Sequence, residues 1–544
     1  MWCEPVCGNR CVCQYPCRTG FGTLLVMIDR TQLQDMSADE LRALALELMS
    51  EVQAKQHIVD RTEAALRFSD AKLAQLTHEM AVLKRWKFAA RSEKLSHEQQ
   101  SLLDETIDSD LAAIELELER LSTEPKTKDA PNKPRRAPLP ANLPHVNVHH
   151  EPESTVCGCG CELKRIGEDV SEKLDYTPGV FTVERHVRGK WVCAHCETLT
   201  QAPVPAHVID KGIPTAGLLA HVLVSKHGDH LPLYRQERIF ARAGLAIPRS
   251  TLGQWVGMCG VQLQPLVDAL KEKILKHRVL HGDETAISML SLGKGKTHRA
   301  YLWTYCPGAF EQMKAVVYDF AESRAGEHAR AFLDPWRGHL VCDDFAGYKQ
   351  LFAQGVTEVG CLAHARRKFY DLHVASRSQI AEDALRYISQ LYDVEREARD
   401  LSPENRLELR QRCARPVAEA LHTWMVLQRA HVNEGSSIAR ALDYSLRRWA
   451  ALTRYLDDPQ LPVDNNWCEN QIRPIAVSRG NWLFAGSARA GKRSAAVMSL
   501  IQSAKLNGHD PYAYLKDILT RLPTQPASRL DELLPHLWQP QLQQ

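Results

Sequence analysis

The first regular feature of the chain is a run of apolar residues that recur every three or four positions over residues 39–91, which predicts one long helix. These residues fall into two heptad columns. One contains Ala45, Val52, Val59, Leu66, Leu73 and Met80, and the other contains Leu41, Leu48, Lys55, Thr62, Ser69, Leu76 and Leu83. Because such columns form the seam of a coiled coil, we expect self-association rather than a helix packed on its own domain. With a second helix over 101–121, residues 37–123 are the predicted oligomerisation region.

Helical periodicity returns over residues 206–275. Within this region, 237–256 predict a helix, a turn at Gly244, and a second helix whose cap is Ser250 or Thr251. A helix-turn-helix DNA-binding unit has this shape, and so does a plain helical hairpin.

From residue 276 the apolar pattern predicts strands. Three strands are followed by a helix, a strand, a second helix and a fifth strand. A meander followed by alternating helices and strands is the plan of a ribonuclease-H-like sheet with helices on both faces. The predicted catalytic core occupies 276–371 and 459–500. A helical insertion over 372–458 separates its two parts, and a helical segment over 501–544 follows.

Composition places the chain among globular proteins of several domains. It has 544 residues, of which 44% are hydrophobic and 25% are charged, and this length exceeds one ordinary core. We expect a multidomain α/β protein with a poorly structured, cysteine-rich tail over 1–36 and a proline-rich basic linker over 124–150. The formal net charge is only +2, so any nucleic-acid surface has to be local. Neither a membrane-length apolar run nor a signal peptide is recognisable, which predicts a cytoplasmic, nucleoid-associated protein without a membrane partner.

Cysteines are the first candidate ligands, and the chain has 16 of them. Those in the tail lack a clean pair spacing, which favours a tail without function over a metal site. Five more lie in CGCGC and CAHC, on either side of a strand-rich spacer: Cys157, Cys159, Cys161, Cys193 and Cys196. Four thiolates can enclose one tetrahedral zinc, so we predict a zinc-ribbon-like lobe over 151–205. Cys157 and Cys161 are the preferred partners of the CAHC pair, with Cys159 as the alternative. His195 could replace a thiolate, and reduced structural cysteines are the competing interpretation.

Acidic residues are the second group of candidates. Asp283 in HGDET and Asp343 in VCDDF stand where predicted strands end. Carboxylates held side by side repel each other unless cations lie between them, and Mg²⁺ or Mn²⁺ suits oxygen ligands. Two-metal phosphoryl chemistry needs a third carboxylate, which Glu469 supplies if its helix packs against the sheet. The two-residue strand period turns Glu284 away from the face of Asp283. The pattern alone does not separate Asp343 from Asp344.

Basic residues lie near the three acids in the sequence. They are Arg366, Arg367, Lys368, Arg473, Arg479, Lys492 and Arg493. Such residues, together with Trp467, Trp482 and Phe484, suit a DNA strand that has to be held and distorted, although aromatic residues at this spacing more often form core. Arg473 lies one helical turn past Glu469 and is the best single candidate for a phosphate contact.

Six motifs in a fixed order carry a family resemblance. They are HGDET, GHLVCDDFAGYKQL, CLAHARRKFYDL, DNNWCENQIRP, NWLFAGSARAGKRSAA and KLNGHDPYAYLKDIL. In this order, and with KFAARSEKL and RIGEDVSEKLDYTPG upstream, they resemble transposases of the insertion sequence 66 family, over about residues 40–520. The resemblance implies a zipper-like N-terminus, a zinc-binding segment, a helical region and a DDE catalytic domain. It picks Asp283, Asp343 and Glu469 as the triad, with Asp344 where a glycine is usual, and it implies co-encoded accessory proteins.

These features lead to one preferred function and two alternatives. A DDE transposase would hydrolyse a phosphodiester at the element end, and the freed 3′-hydroxyl would attack target DNA. Its partners would be double-stranded DNA and a second protomer or more, brought together by the coiled coil. The alternatives are a non-enzymatic, zinc-containing DNA-binding regulator and a ribonuclease-H-like nuclease that cuts DNA without joining it.

Overall fold

The structure is a computed structural model. It describes residues 37–89, 97–121, 139, 143–152, 154–177, 179–209, 212–291, 296–482 and 484–540. The predicted cysteine-rich tail lies outside these residues. The chain divides into two compact units, Met1–Ala74 and Gln75–Gln544.

The described residues form sixteen α-helices and nine strands. The helices are α1 Ala38–Ala89, α2 His97–Leu121, α3 Ala216–His227, α4 Leu233–Arg242, α5 Arg249–Ile274, α6 Gly326–Leu333, α7 Lys349–Ala353, α8 Leu362–Ser376, α9 Gln379–Ala398, α10 Pro403–Leu409, α11 Arg415–His431, α12 Ser437–Arg447, α13 Trp449–Thr453, α14 Asn466–Trp482, α15 Ala488–Leu506 and α16 Pro511–Arg521. The strands are β1 His145–His150, β2 Leu163–Thr177, β3 Val180–Cys193, β4 Leu199–Gln201, β5 Val279–Ser291, β6 Lys296–Pro307, β7 Val317–Ala321, β8 His339–Cys342 and β9 Thr357–Gly360. None of the described helices is long and apolar enough to pass through a lipid bilayer.

The long first helix is present, and its heptad positions have two environments. Leu76 and Leu83 are buried against Ile114 of α2, which is the intramolecular packing that competed with self-association. In the first unit, the heptad positions Val52 and Leu66 are exposed. Self-association through that part of the helix stays a prediction.

The zinc-binding region is built on a long antiparallel hairpin of β2 and β3, with β4 on β3. Strand β1 pairs with β3 in parallel, so residues 145–150 belong to this sheet, and their assignment to the linker was wrong. The sequence gives little signal here because most side chains of β1 are exposed and main-chain hydrogen bonds, rather than apolar burial, hold the strand.

The predicted hairpin at 237–256 exists, but its second helix is a core helix. The turn contains Gly244 at φ +82°, and α5 begins one residue after Pro248, so the predicted serine or threonine cap was wrong. Along α5, Leu252 and Cys259 are fully buried. A Cβ atom on Gly257 would lie 2.1 Å from the carbonyl oxygen of Ser109 in α2. Since α2 covers the first turns of α5, the plain hairpin fits better than a helix offered to a DNA groove.

The predicted catalytic core has a five-stranded sheet in the order β7-β6-β5-β8-β9. Strand β6 is antiparallel to both neighbours, and β8 and β9 run parallel to β5. The predicted succession of strands and helices is therefore confirmed. Helices α14 and α15 pack on one face through Leu302, Phe320 and Met498, and α5 and α6 pack on the other through Trp303 and Phe332.

The insertion and the C-terminal segment complete the second unit. Helices α9 to α13 surround a core that includes Ile388, Leu421 and Leu442 and that continues into Val359 of β9. Helix α15 runs without a break across the predicted boundary at residue 500. The apolar periodicity of this helix is continuous there, and no proline or glycine marks an end.

Candidate active site

Asp283 lies on β5, on the sheet face that packs against α14. Its Oδ1 accepts a hydrogen bond from the main-chain N–H of Glu284 at 2.8 Å. Burial raises the pKa of Asp283 well above its usual range, and the carboxylates of Glu284, Glu469 and Asp343 raise it further. Three segments of the chain thus bring acids to one partly buried site, where their charges repel.

Glu469 reaches this site because Asn465 ties the beginning of α14 to β5. Asn465 is fully buried. Its Oδ1 accepts the Nδ1–H of His281 at 2.7 Å, and its Nδ2 donates to the carbonyl oxygen of Gly282 at 3.0 Å. Both partners immediately precede Asp283, so the first turn of α14 is held beside that residue.

Asp464 fixes the same turn from the other side. Its Oδ1 accepts the main-chain N–H of Asn466 at 3.0 Å, as a helix-capping residue does. Its Oδ2 accepts the hydroxyl of Tyr392 at 2.9 Å, and Tyr392 belongs to the insertion helix α9. The DNN triplet before Glu469 is therefore the anchor of its helix.

The two adjacent aspartates after β8 have different surroundings. Asp343 is near Asp283, and its Oδ1 accepts the main-chain N–H of Phe345 at 2.9 Å. Asp344 is more exposed and lies 3.6 Å from Nε of Arg448. Arg448 is itself buried, and its Nη2 donates to the carbonyl oxygen of Asp343 at 3.1 Å. The geometry therefore favours Asp343 as the third acid of the site and gives Asp344 a partner in the insertion.

Glu284 points to the opposite sheet face from Asp283, as the strand period predicts. Its Oε1 accepts Nε–H of Arg324 at 2.7 Å, and its Oε2 accepts the hydroxyl of Tyr348 at 3.3 Å. Burial raises the pKa of Glu284, whereas the hydrogen bond from Arg324 opposes this shift. Glu284 thus already has a cationic partner in Arg324. Among the described residues, Asp283, Asp343 and Glu469 form no ion pair with a lysine or arginine.

The sequence interpretation missed two neighbours of Glu469. His364 Nδ1 lies 3.7 Å from Glu469 Oε1, and both atoms are buried without a hydrogen-bond partner among the described residues. The sulfur of Cys361 lies within 4.8 Å of ligand atoms of both. The available signal was the CLAH sequence at the end of the fifth strand. It follows the strand-end rule that holds for Asp343, whereas the prediction that Asp283 stands at a strand end was wrong, because β5 continues to Ser291.

Six of the seven predicted DNA-contacting residues are exposed. They are Arg366, Arg367, Lys368, Arg473, Arg479 and Lys492. Arg479 also donates to the carbonyl oxygen of Ala286 on β5 at 3.0 Å. Lys492 lies near Asp319 of the edge strand β7, on a different side of the sheet from Asp283. The exposed cations thus lie on more than one side of the sheet.

The seventh residue, Arg493, does not fit its predicted role. It is buried, and its Nη1 donates to Asp110 of α2 at 3.0 Å, so the guanidinium is not available to a phosphate. Phe484 is buried in the core, and Trp467 is largely covered beneath Lys314. The side chain of Trp482 lies outside what the structure describes. The two described aromatic residues are therefore core residues rather than a DNA surface.

The cysteine cluster forms a four-sulfur group of Cys157, Cys159, Cys193 and Cys196. The sulfurs of Cys157 and Cys196 are 3.2 Å apart, and those of Cys159 and Cys193 are 3.6 Å apart. Four sulfurs bound tetrahedrally to one zinc at about 2.3 Å would be about 3.8 Å apart, so the group fits zinc. Cys161 is not a member of the group. Its carbonyl oxygen instead accepts the N–H of Cys157 at 2.8 Å and closes the loop.

Four family descriptions match successive parts of the chain. "Transposase IS66 family" matches residues 211–493, which is more than half of the chain, and "IS66 C-terminal element" matches 499–536. "Zinc-finger binding domain of transposase IS66" matches 154–197, and "Transposase C of IS166 homeodomain" matches 75–148. The zinc-finger match and the four-sulfur group together indicate a structural zinc site.

Three proteins of Sinorhizobium fredii (strain NBRC 101917 / NGR234) are similar over most of the chain. Uncharacterized protein y4qI is 35% identical over 92% of this chain and 97% of its own length. Uncharacterized protein y4jD is 36% identical over 85% of this chain and 94% of its own length. Uncharacterized protein y4hP is 34% identical over 75% and 77%. The family resemblance inferred from the six motifs is thus confirmed, and the chain belongs to the IS66 transposase family.

Proposed function

We propose that the protein is a DDE-type transposase that cleaves DNA at the ends of an insertion sequence and joins those ends to target DNA. The observation that carries this proposal is the proximity of Asp283, Asp343 and Glu469 in one partly buried acidic site. The order and directions of the five strands support a ribonuclease-H-like core, because the strand that carries Asp283 is central and has one antiparallel and one parallel neighbour.

The three acids fit Mg²⁺ or Mn²⁺. Among the described residues, none of them forms an ion pair with a lysine or arginine, and Glu469 Oε1 is buried without a hydrogen-bond donor. When bound, divalent cations would stabilise the charge on the attacking and leaving oxygens of an in-line displacement. Asn465 and Arg448 hold the acids in place before substrate arrives, so little reorganisation is needed during the reaction. His364 is positioned to orient the carboxylate of Glu469.

The remaining regions would bind zinc, DNA and further protein chains. We assign the structural zinc to Cys157, Cys159, Cys193 and Cys196, with Cys161 closing the loop through its main chain. Exposed cations, including Arg473 and Arg479 on the helix of Glu469, would contact the phosphates of element and target DNA. Exposed apolar positions of α1 would join two or more protomers. Co-encoded accessory proteins are a further expectation from the family.

Paired substitutions test the assignment of the acids. We expect Asp343→Asn to lower metal-dependent cleavage of element-end DNA by at least about 10²-fold, the loss typical of removing one group that stabilises transition-state charge. Glu469→Gln should have a similar effect, and both variants should keep DNA affinity. Asp344→Asn is the matched control and should retain cleavage within a few-fold. Equal losses in the two aspartate variants would contradict the assignment.

The wild-type protein separates the alternatives in the same assay. Cleavage followed by strand transfer into a target plasmid is the expected result. Cleavage without joining would favour the nuclease, and DNA binding without metal-dependent cleavage would favour the regulator.

A further inference from the structure

A second polar site lies between the loop after β8 and the helical insertion. It is a cavity of about 420 Å³, which we call the insertion cavity, lined by Asp343, Phe345, Lys349, Lys368, Arg440 and Tyr444. A space of this size holds a small molecule or one nucleotide and is too small for a duplex. Its wall includes the loop of a proposed catalytic aspartate, so an occupant would lie next to the acidic site.

The insertion cavity is lined by five cations and by four carboxylates, which are Asp343, Asp344, Glu358 and Asp443, so its lining has a net charge of +1. Lys349, Lys368 and Arg440 are exposed, and none of them forms an ion pair with a carboxylate in the described part of the chain. Arg440 donates to the carbonyl oxygen of Gly435 at 3.1 Å and to the hydroxyl of Ser437 at 2.9 Å. Both acceptors are uncharged, so the positive charge of Arg440 remains available. Three such cations around a concavity attract an anion.

The other two arginines of the cavity are already occupied. Arg448 is hydrogen-bonded to Glu358 at 3.0 Å, and Arg447 lies 3.8 Å from Asp443. Arg448 also donates to the hydroxyl of Tyr444 at 2.8 Å, which fixes the tyrosine ring in the cavity wall. Tyr444 and Arg448 are thus held in place before an anion binds. In the ranges that the structure describes, the cavity cations without a carboxylate partner are Lys349, Lys368 and Arg440.

Aromatic rings indicate what kind of anion fits. The ring of Tyr444 is half-buried, and Lys368 Nζ lies 4.5 Å from its centroid. Phe345 forms another part of the wall. A site for phosphate alone needs no aromatic surface, whereas unpaired nucleotides are held by cations on the phosphates and aromatic rings on the bases.

We propose that the insertion cavity binds an unpaired nucleotide of the DNA strand beside the cleavage point. Lys349, Lys368 and Arg440 contact its phosphates, and its base stacks on Tyr444 in the place of the Lys368 ammonium, which turns from that ring to a phosphate. This subsite rests on the proposed function of the adjacent acids, and it gives the helical insertion the role of opening or holding a distorted DNA end.

The test compares forked and blunt DNA of the same sequence by fluorescence anisotropy with the full-length Glu469→Gln protein and no added divalent cation. We expect tighter binding to the fork. At about 0.1 M salt, each single-strand phosphate contact contributes about fivefold through counterion release. The double substitution Lys368→Ala/Arg440→Ala should therefore weaken fork binding by about 25-fold and lower the salt slope by about 1.4. Binding to the blunt duplex should weaken by less than this, because of the two residues only Lys368 is also a proposed duplex contact.

The control removes the same charge elsewhere in the insertion. Arg386 and Arg396 are exposed and pair with Asp383 and Asp393 on their own helix. Arg386→Ala/Arg396→Ala should keep the preference for the fork. An equal loss in this control, or an unchanged preference in the cavity variant, would overturn the proposal.

Two further readouts separate the cavity from the catalytic proposal. Tyr444→Leu should weaken fork binding with the salt slope unchanged, because it removes stacking rather than a phosphate contact. A Tyr444→Leu protein that binds the fork as wild type does would exclude base stacking. The binding assay does not depend on cleavage, so a wild-type protein that never cleaves would refute the proposed transposase and leave the cavity result standing.

Discussion

Asn465→Ala is the substitution that most directly tests how Glu469 is held. The side chain of Asn465 is fully buried and makes two hydrogen bonds to β5. Alanine would leave the Nδ1–H of His281 and the carbonyl oxygen of Gly282 buried without partners. It would also release the first turn of α14, which carries Glu469.

The expected cost follows from those two orphaned groups. Each buried polar group left without a partner costs about 1–3 kcal/mol, so the free energy of unfolding of the core should fall by about 2–6 kcal/mol. For a domain of this size, about 2–4 °C of melting temperature is lost per kcal/mol, which gives a decrease of roughly 4–24 °C. A displacement of Glu469 by about 1 Å should also lower cleavage by about 10²-fold.

The adjacent residue is the matched control. Asn466 is exposed, and its side-chain amide donates to Asp464 at 2.7 Å on the surface. Asn466→Ala should change stability by no more than about 0.5–1 kcal/mol. Thermal unfolding followed by tryptophan fluorescence compares the two variants, and the cleavage assay then follows at a temperature where both are folded. Equal melting temperatures for the two variants would refute the argument that Asn465 anchors α14.

Two more pairs of substitutions test the roles of two arginines and the choice of zinc ligands. Arg493→Met should destabilise the second unit by about 3–5 kcal/mol, because it leaves Asp110 buried without its partner. Arg473→Ala should leave the melting temperature unchanged and lower the salt slope of duplex binding by about 0.9, the value for one phosphate contact. Cys159→Ser should reduce the zinc content measured by atomic emission, whereas Cys161→Ser should retain one zinc per chain. A zinc content that falls only in the Cys161 variant would reverse the ligand assignment.

The sequence predicted those features that depend on local periodicity. The two-residue period placed Asp283 and Glu284 on opposite faces of β5, and the succession of strands and helices follows the same patterns. The position of Glu469 depended on one further condition, that its helix packs on the sheet, and DNN provided the residues that make it do so.

Features that depend on distant partners could not be predicted. Asp343 and Asp344 have the same chemistry, and Arg448, which lies 105 positions after Asp343, makes them different. Arg493 has the sequence context of a surface cation, but it forms a buried ion pair with Asp110, which lies 383 positions away in the sequence. No local pattern contains either pairing.

The helical insertion supplies residues that hold two of the acids of the site in place. Tyr392 of α9 holds Asp464, which caps the helix of Glu469, and Arg448 after α12 holds the main chain of Asp343. These contacts reach two of the three acids from opposite ends of the insertion. A chain in which a short loop replaced the insertion would lack both donors, although its sheet could still form. DNA that binds in the insertion cavity would contact the wall that contains Arg448. The segment that we propose to recognise a distorted strand is therefore also the segment that holds the main chain of Asp343.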